Sequence, residues 1–240
     1  MPSDRIYSLA LEHVGDFVFD ERVVEVFPDM IARSVPGYAS IIAMTVELAE
    51  HYATPRSNIY DLGCSLGAAT LPMSERVPRD CVIYAVDSSA AMIKELEAKQ
   101  AQKSDACSVK VAHADVLYTP MHTASFIVMN FTLQFIAPEA RTALLNRIHA
   151  ALLPGGALVL SEKICFEKPQ QQELFTTLHH AFKRANGYSD LEIAQKRTAL
   201  ENTLLPETLD LHLSRLEEAG FRTPSAWFQC LNFASIIAVK

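Results

Sequence analysis

Short runs rich in Val and Ile recur along the chain between longer amphipathic stretches, and that alternation restricts it to a parallel sheet flanked by helices. The runs are SNIYDLG (57–63), DCVIYAVD (80–87), CSVKVAH (107–113), ASFIVMN (124–130) and GALVLSE (156–162). Between the second and third, SSAAMIKELEAKQ opens with serines that can cap a helix and sets Met92, Ile93 and Leu96 on one face. After the fourth, PEARTALLNRIHAALLPGG begins with Pro138 in a first helical turn, repeats Leu144, Ile148 and Leu152 at four-residue spacing, and is expected to stop at Pro154-Gly155-Gly156. The closing stretch WFQCLNFASIIAVK (227–240) holds two strand-like runs too close together for a helical crossover, so the last strand must pair antiparallel.

Two segments fall outside this pattern. The first 54 residues read as helices broken at Pro36-Gly37, and 164–219 reads as a helical insertion. Both are placed over the carboxyl edge of the sheet, where ligands of open α/β sheets sit. With no repeat or Pro/Gly/Ser-rich linker, the 240 residues read as one domain, its sheet core spanning 55–163 and 220–240.

The loop in IYDLGCSLGAAT (59–70) carries the first functional signal. A strand ending in Asp61 breaks into Gly63-x-Ser65-x-Gly67, where glycine permits a sharp turn and lets backbone N–H groups approach a ligand. By itself this is also an ordinary strand-to-helix turn. Asp87 ends the second strand 26 positions after Asp61, where it can accept both hydroxyls of a ribose. Asp115 follows the third strand, where it can accept from an adenine amino group, and Asn130 ends the fourth. Four such features at successive strand ends point to an adenosyl site. The terminal hairpin and the extra acid at Asp115 favour S-adenosylmethionine over NAD, and no Gly-Lys-Ser/Thr follows to make a P-loop. Cys64 reads as a small packed side chain.

Composition narrows the partners. A net charge of -7 argues against gripping a phosphate backbone, since such binding depends on clustered Lys and Arg. HHAFKR (179–184) and QKR (195–197) nevertheless gather local positive charge suited to an anionic ligand. The five cysteines lack paired spacing, so neither a metal nor a disulfide frame is expected. MPSDRIYS has no secretory pattern and no run approaches the ~18 apolar residues of a membrane span, so a soluble cytoplasmic protein is expected.

A mostly parallel seven-stranded sheet with a terminal antiparallel hairpin and covering helices resembles the Rossmann-like fold of class I methyltransferases. The likeness sharpens in FDERVVEVFPDMIARSVPGY (19–38), YDLGCSLGAAT (60–70), NFTLQF (130–135), LLPGGALVLSEK (152–163) and HHAFKRANGYSDLEIAQKRTALEN (179–202). These stretches closely resemble the carboxy-S-adenosylmethionine synthases of bacterial wobble-uridine modification, from about residue 12 to the last strand. The resemblance implies conversion of S-adenosylmethionine and prephenate to carboxy-S-adenosylmethionine and phenylpyruvate. A separate tRNA carboxymethyltransferase would use the product, so this chain is expected to bind no nucleic acid, and the family likeness implies a homodimer, for which the apolar N-terminal helices are the expected interface. Its binding residues carry over to Tyr38, Gly63, Cys64, Ser65, Asp87, Ser88, Asp115, Val116, Asn130 and Arg197, with no metal.

Arg197 is assigned the catalytic role under that resemblance, because a guanidinium fork matches the carboxylate added to the former methyl carbon. Taken without it, Arg197 in SDLEIAQKRTALEN reads as a solvated helix arginine near Asp190 and Glu201. Arg33, Lys183 and Arg184 are weaker candidates for the second substrate's two carboxylates. The implied scheme has prephenate aromatise with loss of carbon dioxide and hydroxide; the hydroxide deprotonates the sulfonium methyl, and the resulting ylide captures the carbon dioxide. The protein then positions reactants and excludes water. His179 and His180 are alternative bases, although adjacent helical residues diverge and at most one is expected to face the site; Tyr188 is a candidate to orient a carboxylate. Two other readings stay open: a methyltransferase for a small anionic acceptor, and a module whose cofactor occupancy regulates a partner.

Overall fold

The computed structural model describes residues 2–101 and 106–240. Helices α1 (Glu21–Ser34) and α2 (Tyr38–Tyr52) lead into β1 (Asn58–Leu62), α3 (Thr70–Arg76), β2 (Val82–Asp87), α4 (Ala90–Gln100), β3 (Ser108–His113), β4 (Ala124–Asn130), α5 (Pro138–Ala151) and β5 (Leu152–Cys165). The chain closes with α6 (Pro169–Ala185), α7 (Asp190–Leu200), a two-residue β6 (Glu207–Thr208), α8 (Leu209–Glu218), β7 (Arg222–Cys230) and β8 (Phe233–Val239).

The main sheet runs β3-β2-β1-β4-β5-β8-β7, with β6 paired beside the end of β5. Strands β1 to β5 pair parallel, while β8 is antiparallel to both β5 and β7. The seven expected strands are therefore present, and β6 is too short to leave a hydrophobic run. Because helices cover both faces, β4 is buried at every position but its last. Ile127 and Met129 face a core with Leu144, Ile148 and Leu216, whereas Phe126 and Val128 face one with Val46, Ala49 and Met73. Leu216 makes α8 part of the sheet's packing, although it lies within the segment read as an insertion.

Two boundaries differ from expectation. Helix α5 ends at Ala151, three residues before Pro154, because Leu152 already pairs with Ala124 in the sheet. A register shift before Phe126 absorbs Pro154 and Gly155, the latter at φ +80°. The N-terminal helices begin only at Glu21, where the Asp20 side chain accepts from Val23 N–H at 3.1 Å. Residues before Asp20 use partners elsewhere in place of a helical ladder: Leu11 N–H donates to Gln195 Oε1 at 2.7 Å, and Gln195 Nε2 donates to the carbonyls of Tyr7 and Leu9 at 2.9 and 2.8 Å. This tie brings the N-terminus onto α7, beside the carboxyl edge of the sheet.

Candidate active site

The strand order reverses between β1 and β4, and a cavity of about 410 Å³ opens there at the strand carboxyl ends. Its strand side starts with the loop after β1. Gly63 and Cys64 N–H both donate to the Val86 carbonyl, at 2.8 and 3.0 Å, which folds the loop back on β2. Gly63 stands at φ +85° with a virtual Cβ only 2.0 Å from Thr132 Oγ1, so both the turn and the close approach require glycine. Ser65 also takes a left-handed conformation, at φ 47°, and directs its N–H to Asp87 Oδ2 at 2.9 Å.

Asp87 accepts a second backbone bond through Oδ1, from Ser89 N–H at 2.8 Å. A carboxylate has about four acceptor positions, so two oxygens anchored from behind can still receive a diol in front. Burial raises the Asp87 pKa despite these bonds. Behind the loop, Asp61 accepts from Thr70 Oγ1 at 2.5 Å. Burial pushes its carboxyl up to about 6, with the Asp87 charge adding to the rise. Burial also raises the Cys64 pKa strongly, keeping this core thiol protonated and unsuited to nucleophilic attack.

Asp115 lies at the exposed lip, where Oδ1 receives Leu117 N–H at 2.8 Å, with Val116 buried beside it. At the end of β4, Asn130 Oδ1 accepts from Ser161 Oγ at 2.6 Å, leaving its buried Nδ2 without a partner among the described residues. An orphaned donor on a cavity wall fits an acceptor on a ligand. Tyr38, at the first position of α2, packs 6.1 Å from the Phe131 ring, and burial raises its phenol pKa well above the ordinary value. Tyr38, Gly63, Cys64, Ser65, Asp87, Ser88, Asp115, Val116 and Asn130 all line this one cavity. The strand-end acceptors and the amide donor fit an adenosine-bearing ligand.

Another part of the lining, from β5 and the helices, is cationic. Lys163 at the end of β5, Lys183 on α6 and Lys196 on α7 line it together with His179. Lys196 has a counter-ion, with Nζ 3.6 Å from Asp4 Oδ2 and 3.3 Å from Ser34 Oγ. The ammonium groups of Lys163 and Lys183 have no hydrogen-bond or ion-pair partner among the described residues. Burial lowers the Lys183 pKa to about 7, helped by the charges of Lys196 and Lys163. Burial brings Lys196 to about 8 against the opposing pull of Asp4, and lowers Lys163, on which the Arg197 charge also acts.

His179 donates Nε2–H to the Ser34 carbonyl at 2.8 Å, and burial drives its pKa down to about 3, with Lys183 next in effect. It is a neutral imidazole at ordinary pH. His180 does not face the main cavity; it lines a separate hollow with Asp190 and Arg197. Arg197 itself is exposed, and it makes no ion pair among the described residues. Thus nine of the ten expected binding residues converge, and Arg197 stands outside, close enough for its field to act on Lys163.

The weaker candidates separate in the same way. Lys183 faces the cavity. Arg33 is already engaged, with Nε 3.0 Å from Asp29 Oδ2 and its guanidinium 4.0 Å over the Tyr188 ring. Arg184 forms an exposed pair with Asp190 at 2.9 Å. Tyr188 does orient a carboxylate, but it is the protein's own: its hydroxyl donates to Asp4 Oδ2. Sequence reasoning missed Lys163 and Lys196 as wall residues, and also Glu162, whose carboxylate accepts from Leu133 and Gln134 N–H at 2.9 Å each and so fixes the loop after β4. The basic run QKR hinted at Lys196; nothing in sequence tied Lys163 to it.

A family model described as a methyltransferase domain matches residues 59–156. Among curated proteins, the chain is 56% identical to a carboxy-S-adenosyl-L-methionine synthase of Geobacter sp. (strain M21), over 99% of this chain and 98% of that one. It is 53% identical to a protein of the same name from Aliivibrio fischeri (strain ATCC 700601 / ES114), with the same coverage. Among solved structures, human N-acetylserotonin methyltransferase in complex with SAM superposes with a TM-score of 0.60 at 16% identity, covering 92% of this chain and 55% of that chain. The cyclopropane synthase MmaA2 from Mycobacterium tuberculosis gives 0.59 at 17% identity, over 79% and 63%. These two likenesses establish the α/β fold; the near full-length identities reach further.

Proposed function

The chain belongs to the carboxy-S-adenosyl-L-methionine synthase family, and from that premise we propose that it joins a carboxyl group taken from prephenate to the methyl carbon of S-adenosylmethionine, releasing phenylpyruvate. The observation that carries this reading is the meeting, in one cavity, of an adenosyl cradle at the strand ends with two buried lysines, Lys183 and Lys196, and the half-buried Lys163. The cradle suits adenosine and the lysines suit a dicarboxylate.

The sulfonium acidifies its own methyl carbon, and the second substrate brings the carbon dioxide and a hydroxide when it aromatises. The chain's residues therefore need to hold, orient and keep dry. Asp87 and Asp115 receive the ribose and the adenine amino group, and Asn130 Nδ2 donates to the amino-acid portion. His179, neutral and already donating through Nε2, packs the wall and is no strong base. Arg197, outside the cavity in a single chain, holds the new carboxylate; its field at Lys163 and the absence of an ion pair for it among the described residues support that role.

We further propose a cytoplasmic homodimer that passes its product to a separate tRNA carboxymethyltransferase and makes no contact with the tRNA. Leu191 on α7, the helix that carries Arg197, is exposed, as are Leu174 and Leu178 on α6, which supports a covered face on these two helices. The test is mass spectrometry of small molecules released by denaturing the purified protein. An adenosyl compound one carboxyl group heavier than S-adenosylmethionine is expected. Finding S-adenosylhomocysteine alone, together with methyl transfer to an acid in the absence of prephenate, would favour a methyltransferase for an anionic acceptor, which the lysine wall also suits.

A further inference from the structure

A buried ammonium group without a counter-ion is costly, because desolvation is uncompensated. Of the three lysines that line the cavity, Lys196 has Asp4 and Ser34, whereas the half-buried Lys163 and the buried Lys183 are unpartnered among the described residues. Lys183 is only 8% exposed. They arrive from different elements, β5 and α6, so one helical charge stripe does not explain their convergence. An aromatic wall joins this end to the strand-end loop: the Phe233 ring lies 5.0 Å from His179 and 6.1 Å from Phe131.

We propose that Lys163 and Lys183 form a carboxylate clamp for the retained keto-acid arm of the second substrate, with Phe131 and Phe233 as the wall for its ring. The assignment rests on the prephenate reading and specifies which carboxylate goes where. A carboxylate leaving as carbon dioxide loses its charge as its carbon–carbon bond breaks. A lysine paired with it would stabilise the ground state more than the transition state and slow the reaction. The arm that survives in phenylpyruvate keeps its charge throughout, so pairing it strengthens binding without raising that barrier. The departing carboxylate is then left to the less polar part of the cavity, towards the sulfonium.

Calorimetric titration of phenylpyruvate into the S-adenosylmethionine-loaded protein tests the clamp directly, because this molecule retains the arm and lacks the leaving group. Lys183→Gln should weaken its binding by about ten-fold or more, the loss of one charge-assisted hydrogen bond. Lys183→Arg should recover most of the affinity, and S-adenosylmethionine should bind all forms within about two-fold of one another. Lys163→Gln carries the same expectation should the first variant fold poorly. In turnover, the prephenate KM should rise with little change in kcat, as expected when binding is lost equally from ground and transition states.

Unchanged phenylpyruvate affinity in both glutamine variants, or no binding to the unmodified protein, overturns the clamp. Lysine-dependent binding by a protein that never turns over prephenate would uphold the clamp as an aryl keto-acid site and overturn the substrate reading instead.

Discussion

At the strand side of the cavity, Asp87 meets Ser65 and Ser89 N–H at 2.9 and 2.8 Å, while at the helical side Lys183 meets no acceptor among the described residues. The first wall is anchored by the backbone before any ligand arrives. The second holds like charges close together, with one of three lysines neutralised by Asp4. Such a contrast teaches that, under the proposed function, the two walls solve different problems: one would present fixed acceptors to a cationic nucleoside, and the other would be completed electrostatically by an anion. The two walls should therefore respond to different perturbations.

The largest expected effect is on the anchored wall. Asp87→Ala removes the diol acceptor and frees two backbone donors, so S-adenosylmethionine should bind about 100-fold more weakly in calorimetry. Arg197→Leu should do the reverse: S-adenosylmethionine affinity stays within about two-fold while the carboxylated product binds about ten-fold more weakly. Equal losses of both would remove Arg197 from the carboxylate.

A smaller effect should come from pH. Lys183, with its pKa near 7, carries charge below that value and loses it above, facing Lys163, Lys196, Asp4 and His179. Binding an anion there takes up a proton at higher pH, so the prephenate KM should rise above pH 7, by at most about ten-fold per pH unit. Lys183→Arg should flatten most of the rise, leaving a residue from Lys196, whose pKa is near 8. Initial rates of the two proteins across the range decide it. The smallest effect is expected at Arg184, whose pair with Asp190 is exposed. Arg184→Ala should cost less than about 0.5 kcal/mol in chemical denaturation and leave the prephenate KM unchanged.

The anchored wall was legible in the sequence because its residues follow strand ends. Asp61, Asp87 and Asn130 close apolar runs whose spacing gives their order, and glycine at 63 marks the turn that only glycine makes beside Thr132. The lysine wall was largely illegible, because Asp4, Lys163, Lys183 and Lys196 are distant in the chain and each alone resembles a solvated charge. Asp4, Lys183 and Lys196 are buried, and the N-terminal segment that carries Asp4 is tied to α7 by Gln195, a contact between residues more than 180 positions apart that carries no local pattern. The same long-range bonding explains why the residues before Asp20 are irregular. Arg197 illustrates the limit from the other direction: resemblance assigned it to the carboxylate, yet in a single chain it lies on an exposed helix face.

Prephenate labelled with heavy carbon in its ring carboxyl group, incubated with the purified protein and S-adenosylmethionine, tests most directly whether the two walls serve one reaction. The label should appear, analysed by mass spectrometry, in a carboxylated adenosyl product, with unlabelled phenylpyruvate formed in equal amount. Label released wholly as carbon dioxide, with S-adenosylmethionine unchanged or its methyl group passed to another acid, would contradict it.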